Sequence, residues 1–294
     1  MKNFLSLLTA ILLLGACQNL KKEATPAEPE DTDTIIVDAD QYLLMETSEG
    51  NITFKLYRET PLHRHNFVKL ARKGYYDNQQ FYRIQNNFTV QAGDPKSKGA
   101  SRDVILGEGD VDYTIPEEIQ PEKFIHKRGA LAMASYYKME KSSGGQFYIV
   151  TGFKYSDTKL FNAEDKYNKA LRKEVFDSIT HTSPYAEQLK EYAKDQKRNM
   201  PKIRELKKKI TADTDKVMAT RKQFHYTKEQ KELYKTTGGA ADLDGYYTVF
   251  GEVVEGMDVV TKIEKRAVDG RLRPIDAVVI KRIRETNFEL KIEN

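Results

Sequence analysis

The sequence predicts a closed antiparallel β-barrel flanked by two helices and interrupted by a long helical insertion. Three observations lead there. Short β-rich runs recur from Tyr42 to about residue 153 and resume after residue 241, which is the pattern of a small barrel. Two helical patterns, near residues 60–74 and 257–264, accompany them. Between Lys154 and Ala241 the composition changes, with 21 Lys and Arg against 13 Asp and Glu, whereas the whole chain has 48 against 44. The length of 294 residues, 39% hydrophobic, suffices for one sizeable core plus an addition, or for two small domains. A net charge of +4 does not call for nucleic acid as a partner.

The chain starts MKNFLSLLTAILLLGACQNLKK, with Lys2, a 13-residue apolar run from Phe4 to Ala16, and the sole cysteine, Cys17. The run is too short to span a bilayer and fits the core of a signal peptide over residues 1–16. Leu14-Gly15-Ala16-Cys17 resembles the lipobox of bacterial lipoproteins, which implies lipidation of Cys17 and an anchor on the extracytoplasmic side of a membrane. With that thiol acylated, none remains for a disulfide or a Cys-ligated metal. Gln18 is not the aspartate that retains lipoproteins at the inner membrane of two-membrane bacteria, which favours the outer membrane. Residues 17–40, rich in Lys, Glu, Asp, Pro and Thr, read as a flexible tether.

From Tyr42, YLLMETSEGNITFKLY reads as two strands around Ser48-Glu49-Gly50. TPLHRHNFVKLARKG follows, with Thr60 as candidate N-cap, Pro61 at the first helical position, Phe67, Leu70 and Ala71 at helical spacing, and Gly74 as the stop. Strands are expected at Phe81–Ile84, Thr89–Ala92, Ala130–Ala134 and Gln146–Thr151, then at 246–254 and 277–283, with a helix near Met257–Glu264. The block 154–241 reads as helix: Ser183-Pro184 looks like a cap followed by proline, AEQLKEYAKDQKRNM and PKIRELKKKI carry apolar residues three and four apart, and TKEQ at 227–230 is a capping-box pattern. A barrel over 41–153 and 242–285 with a basic helical insertion at 154–241 is the expected organisation.

FYRIQNNFTVQAGD, residues 81–94, raises the functional question, because Arg83 and Gln91 stand on runs where apolar residues would dominate. Together with HKRGALAMA (126–134), GGQFYIVTG (144–152) and LDGYYTVFGEVVEGMDVVTKI (243–263), it resembles, in order, the signature segments of cyclophilin-type peptidyl-prolyl cis-trans isomerases. The resemblance covers about residues 42–153 and 242–284. It implies a mainly β fold, an eight-stranded closed barrel with two capping helices, and isomerase activity on X–Pro bonds of extracytoplasmic polypeptides without a cofactor. By position in those motifs Arg83 is the catalytic residue, assisted by Gln91. Phe88, Tyr148 and Leu243 would form the proline socket, while Thr89, Ala134, Ser135, Gln146 and Tyr247 fall at further substrate-binding positions.

The chemistry accounts for these residue types. Twisting an X–Pro bond breaks amide resonance against a barrier of about 18–20 kcal/mol. As the bond twists, the nitrogen gains a lone pair, so a donor aimed at it stabilises the twisted state more than the planar one. Arginine keeps its charge and presents a rigid fork of donors. Departures from the family pattern are Thr89 for a common methionine, Tyr247 for a common histidine, Asp242 for the tryptophan of the best-known members, and GDPKSKGASRDVILGEGD without the tight double-glycine turn after the catalytic strand, together with two extra residues between Ala134 and Gln146. They bear on substrate preference more than on activity. A rival reading is a non-enzymatic peptide-binding module or chaperone of the cell envelope. His63-Arg64-His65 lacks a third ligand and faces in two directions, so no metal is expected.

Overall fold

The computed structural model describes residues 41–135, 141–182 and 184–287, all within one compact unit. Cys17, the tether and Ser183 lie outside the described residues.

Strands β1 (Gln41–Thr47) and β2 (Asn51–Leu56) form the expected hairpin, Gln41 opposite Leu56. The Thr47 hydroxyl gathers the turn amides of Glu49 and Gly50 at 3.0 and 3.1 Å. Helix α1 (Pro61–Arg72) follows, with Pro61 where its missing N–H costs no helical bond. Thr60 is not the side-chain cap: its hydroxyl turns back to the Tyr57 carbonyl. The Glu118 carboxylate, from a distant loop, instead accepts the Leu62 and His63 amides at 3.1 and 3.0 Å. A charged acceptor at the positive end of the helix is the stronger solution.

The strands β3 (Gln79–Gln80), β4 (Arg83–Gln85), β5 (Thr89–Ala92), β6 (Thr114–Pro116), β7 (Ala130–Ser135), β8 (Lys141–Val150), β9 (Val249–Glu255) and β10 (Val279–Glu285) complete a curled antiparallel sheet. Its hydrogen-bonded order is β3-β10-β1-β2-β9-β7-β8-β5-β4, with β6 beside β8. Where eight strands were expected, the described residues form ten. β3 and β6, of two and three residues, are too short to leave a periodic trace in the sequence.

Alternation divides the sheet faces. Leu43, Met45, Ile52, Phe54, Ile84, Val90, Leu131 and Ile149 point to the main core, which α1 and α6 (Met257–Glu264) close with Phe67, Leu70, Val260 and Ile263. Phe67 is its hub, with the rings of Tyr76, Phe147 and Phe250 at 5.0–5.2 Å. Burying such a ring contributes about 1.5–3 kcal/mol.

Between β8 and β9 lie α2 (Asp157–Thr182), α3 (Tyr185–Ala193), α4 (Gln196–Thr220) and α5 (Lys228–Thr236). α4 starts at an Asp195 cap and runs through Pro201. α5 carries the full capping box, Thr227 with Gln230. The segment's two ends are sewn together where Phe153 and Gly239 exchange backbone hydrogen bonds at 3.1 and 3.0 Å. A Cβ on Gly152 would meet the Gly239 carbonyl oxygen at 2.1 Å, and its φ is +55°, so the site accepts only glycine without displacement.

A second apolar cluster joins Tyr155, Leu160, Ala163, Tyr226, Tyr234 and Ala241, all within the segment 154–241, to Ile125 outside it. The base of the helical segment therefore shares a core with Ile125 of the sheet-bearing part. Its far end has buried residues of its own, Val175, Leu206, Ile210 and Thr214.

Candidate active site

Register brings the site together. β4 pairs with β5 so that Arg83 faces Gln91 and Gln85 faces Thr89. β5 pairs with β8 so that Gln91 faces Tyr148 and Thr89 faces Val150, and Ala132 of β7 lies opposite Tyr148. Arg83, Gln91, Tyr148 and Ala132 therefore form one cross-strand row on the face opposite the main core. A strand can keep an arginine there because its neighbours Ile84 and Val90 do the burying.

Arg83 is half-buried, and its guanidinium donates to Gln85 Oε1 at 2.7 Å and, more weakly, to Gln91 Oε1 at 3.4 Å. These two glutamines tether the guanidinium within the row. Gln85 was missed by sequence reading, although its place two residues along the same strand face was a usable signal.

Beside the row lies a third apolar cluster, Ala130, Ala132, Tyr148, Val150, Ala240 and Val249, against which Phe88, Ala134, Leu243 and Tyr247 pack half-buried. Four of the expected pocket residues thus share one patch with Tyr148. Tyr148, 2% exposed, is the floor of that patch rather than its wall. Thr89, 1% exposed, places a hydroxyl there that has no hydrogen-bond partner.

Two expected contact residues are otherwise engaged. Gln146 is buried: its Oε1 accepts from the Tyr82 hydroxyl at 2.7 Å and its Nε2 donates to the carbonyls of Gly109 and Gly107 at 2.6 and 3.2 Å. Its side chain thus secures the loop after β5, which Asp94 also holds by accepting the Gly107 amide at 2.6 Å. Ser135, at the end of β7, donates its hydroxyl to the Lys141 carbonyl at 2.9 Å.

Under the patch runs a buried polar chain that the sequence did not disclose. His126 Nε2 lies 3.0 Å from the Tyr148 hydroxyl, and its Nδ1 lies 2.7 Å from Asp244 Oδ1, which also accepts the His126 amide at 2.7 Å. Asp244 Oδ2 accepts the hydroxyls of Tyr226 and Tyr234 at 2.7 and 2.5 Å. Burial first, and the nearby Asp244 carboxylate second, push the Tyr226 and Tyr234 hydroxyls far above the ordinary tyrosine value, so both stay donors. Burial raises Tyr148 in the same way. His126 and Asp244 stand within HKRGALAMA and LDG, but nothing in those motifs announces a pairing across 118 residues.

The fold and this face define a class. The family model for cyclophilin type peptidyl-prolyl cis-trans isomerases matches residues 42–208 and 179–285, and the chain belongs to that family, a family of isomerases. A Staphylococcus saprophyticus protein, provisionally named a peptidyl-prolyl cis-trans isomerase, is 26% identical over 239 residues, covering 81% of this chain and 88% of its own. Peptidyl-prolyl cis-trans isomerase cypE of Dictyostelium discoideum is 34% identical over 114 residues, 38% of this chain and 69% of that one. Among solved structures, a cyclophilin type isomerase of Cryptosporidium parvum superposes with a TM-score of 0.51 at 19% identity, covering 85% of this chain and all of that one. A second structure of that protein, determined in the presence of the dipeptide Ala-Pro, gives 0.50 at 20% identity, covering 84% and 100%.

Proposed function

We propose that this chain accelerates cis–trans isomerisation of X–Pro bonds in extracytoplasmic polypeptides, using Arg83 as the catalytic residue. The observation that carries the reading is the single row Arg83–Gln91–Tyr148 beside an apolar patch. An extended peptide laid along the row sets its proline ring on Tyr148, Phe88, Leu243 and Tyr247, with Thr89 and Ala134 at the edges. A guanidinium has five N–H donors. With Gln85 and Gln91 holding it, further donors can reach the carbonyl before the proline and the ring nitrogen as it becomes pyramidal. The gain comes from a donor already in place and aimed at charge that appears only on twisting. Gln91 orients Arg83, Ser135 lies where backbone groups would grip the peptide, and Gln146 supports the adjoining loop. The Ala-Pro dipeptide used with the Cryptosporidium protein supports proline-containing peptides as the substrate class.

We read the curled sheet as a closed barrel. The chain passes from β3 through Phe81 and Tyr82 directly into β4, so the two ends of the hydrogen-bonded path are neighbours in sequence. We read the helices between residues 154 and 241 as an inserted subdomain that shares its base with the barrel. The lipobox-like Leu14–Cys17 supports a lipid anchor at Cys17 and an extracytoplasmic location.

The test is a proline exchange assay on an Ala-Pro tetrapeptide with the full chain in detergent. Wild type should accelerate exchange, and Arg83→Ala should lose about 10²–10³-fold in kcat/KM with an unchanged circular dichroism spectrum. Equal acceleration by the two would take the catalytic role from Arg83, and no acceleration by wild type would favour the peptide-binding module over the enzyme.

A further inference from the structure

The loop 240–247 carries Leu243 and Tyr247 to the apolar patch, and the helical segment holds that loop at several points. Tyr155 donates its hydroxyl to Asp242 Oδ2 at 3.2 Å. Lys166 of α2 lies 3.9 Å from Asp242 Oδ1 and 5.5 Å from the centre of the Tyr246 ring. Tyr167 packs edge-on to Tyr246 at 6.2 Å and so close to Gly245 that a Cβ there would come within 2.1 Å of its ring. Tyr226 and Tyr234 reach furthest in, to Asp244.

Asp244 is 3% exposed, and its carboxylate is where the two halves meet. Oδ2 takes the two tyrosine hydroxyls from the helical segment, and Oδ1 takes the amide and ring of His126 from the barrel. His126 in turn lies against Tyr148, with ring centroids 6.0 Å apart and planes 14° from parallel. Tyr247 stands edge-on to both, at 6.0 Å from Tyr148 and 6.4 Å from His126. A buried carboxylate is satisfied only as a complete set. Without the two hydroxyls, Oδ2 would be left buried and unbonded, and the loop would move to hydrate it.

We propose that Tyr226 and Tyr234 are positioning residues for proline recognition: by holding Asp244 they fix His126, the Tyr148 floor and the Leu243–Tyr247 loop, so the helical segment sets the affinity of the barrel for X–Pro. This rests on the isomerase reading above. Neither tyrosine touches substrate or Arg83. Their loss therefore misplaces the ring-binding surface and leaves the twisting donor where it is.

The experiment compares wild type, the double variant Tyr226→Phe/Tyr234→Phe and, as a control in the far end of the helical segment, Tyr185→Phe, using NMR exchange on an Ala-Pro tetrapeptide with the full chain in detergent. The double variant should raise KM about tenfold, the low end of the roughly 10–200-fold that fit in a hydrophobic pocket is worth, with kcat within about twofold; Tyr185→Phe should match wild type. An unchanged KM overturns the proposal, as does a fall in kcat alone, which is what a smaller folded fraction produces. Should the double variant fail to fold, wild type carrying ¹³C at the tyrosine ζ carbons decides the matter. Saturation with the peptide should shift the Tyr148, Tyr226 and Tyr234 resonances and leave Tyr185 in place; still resonances at Tyr226 and Tyr234 overturn it. The titration needs binding but no turnover, so it separates failure of this inference from failure of the isomerase reading, which Arg83→Ala tests alone.

Discussion

The Arg83 row and the base of the helical segment both organise the same patch, by different physical means. In the row, register does the work: once Gln91 is opposite Arg83 and Tyr148 opposite Gln91, backbone hydrogen bonds fix side-chain spacing to within the pleat. At the base of the helices, placement depends on side-chain hydrogen bonds to one buried carboxylate, Asp244, and on the shared cluster around Leu160 and Tyr234. The first arrangement tolerates change in the residues around it. The second fails as a set.

The largest effect that separates the two follows from where the helices are cut. Replacing residues 156–239 by a short glycine-containing loop removes Leu160, Ala163, Tyr226 and Tyr234, which strips the cluster from Ile125 and Ala241 and leaves Asp244 Oδ2 without donors. Loop closure itself changes little with length, about 0.6 kcal/mol per doubling, but each lost large apolar side chain costs about 2–5 kcal/mol. This variant should be insoluble or unfolded by circular dichroism. Replacing only residues 176–213 keeps the shared cluster, and also the Arg172–Asp215 contact. It should melt within a few degrees of wild type and retain peptide turnover. If the larger deletion folds and turns over peptide normally, the helices are an appendage and the comparison collapses.

A smaller effect tests the cap that sequence reading misplaced. Glu118 is half-hidden, which raises its carboxyl, but the His63 ring and the amides of His63 and Leu62 outweigh burial and hold it below the ordinary value of 4.5. A carboxylate whose folded value is depressed contributes stability above its unfolded value, and that contribution is lost as pH falls below about 4.5 toward the folded value. Glu118→Gln should therefore cost about 1 kcal/mol at pH 7, and its denaturation curves should converge on wild type as the pH falls below 4.5. A difference that persists unchanged in acid would show that Glu118 acts through packing and not through its charge.

Much of the sheet was readable because alternation and turn residues are local. The hairpin at Ser48-Glu49-Gly50, α1 with Pro61, and α6 at Met257–Glu264 follow from patterns a few residues long. Arg83, Phe88, Gln91 and Tyr148 were readable as a set only through the resemblance of their motifs to the family's signature segments, and the structure brings them to one face. Other features depend on distance in space. Glu118 caps a helix 55 residues away, His126 meets Asp244 across 118, and Gln146 turns its amide to the loop at Gly107 and Gly109. No local pattern records such pairings. β4 starting at Arg83 and β9 starting at Val249 show the same limit: Phe81, although apolar and β-favouring, lies in the link between β3 and β4 with its amide on the Val278 carbonyl, and Tyr246 lies in a turn.

The most direct test of the central claim, that a fork of donors on this face stabilises the twisted prolyl bond, is Arg83→Lys measured by NMR exchange on an Ala-Pro tetrapeptide under saturating and subsaturating peptide. Lysine keeps the charge but loses the planar fork that Gln85 and Gln91 hold. The expected result is a kcat lowered about 10²-fold or more with KM changed little, because the apolar patch is intact. A lysine variant that turns over within a fewfold of wild type would contradict the claim and assign the rate to charge alone.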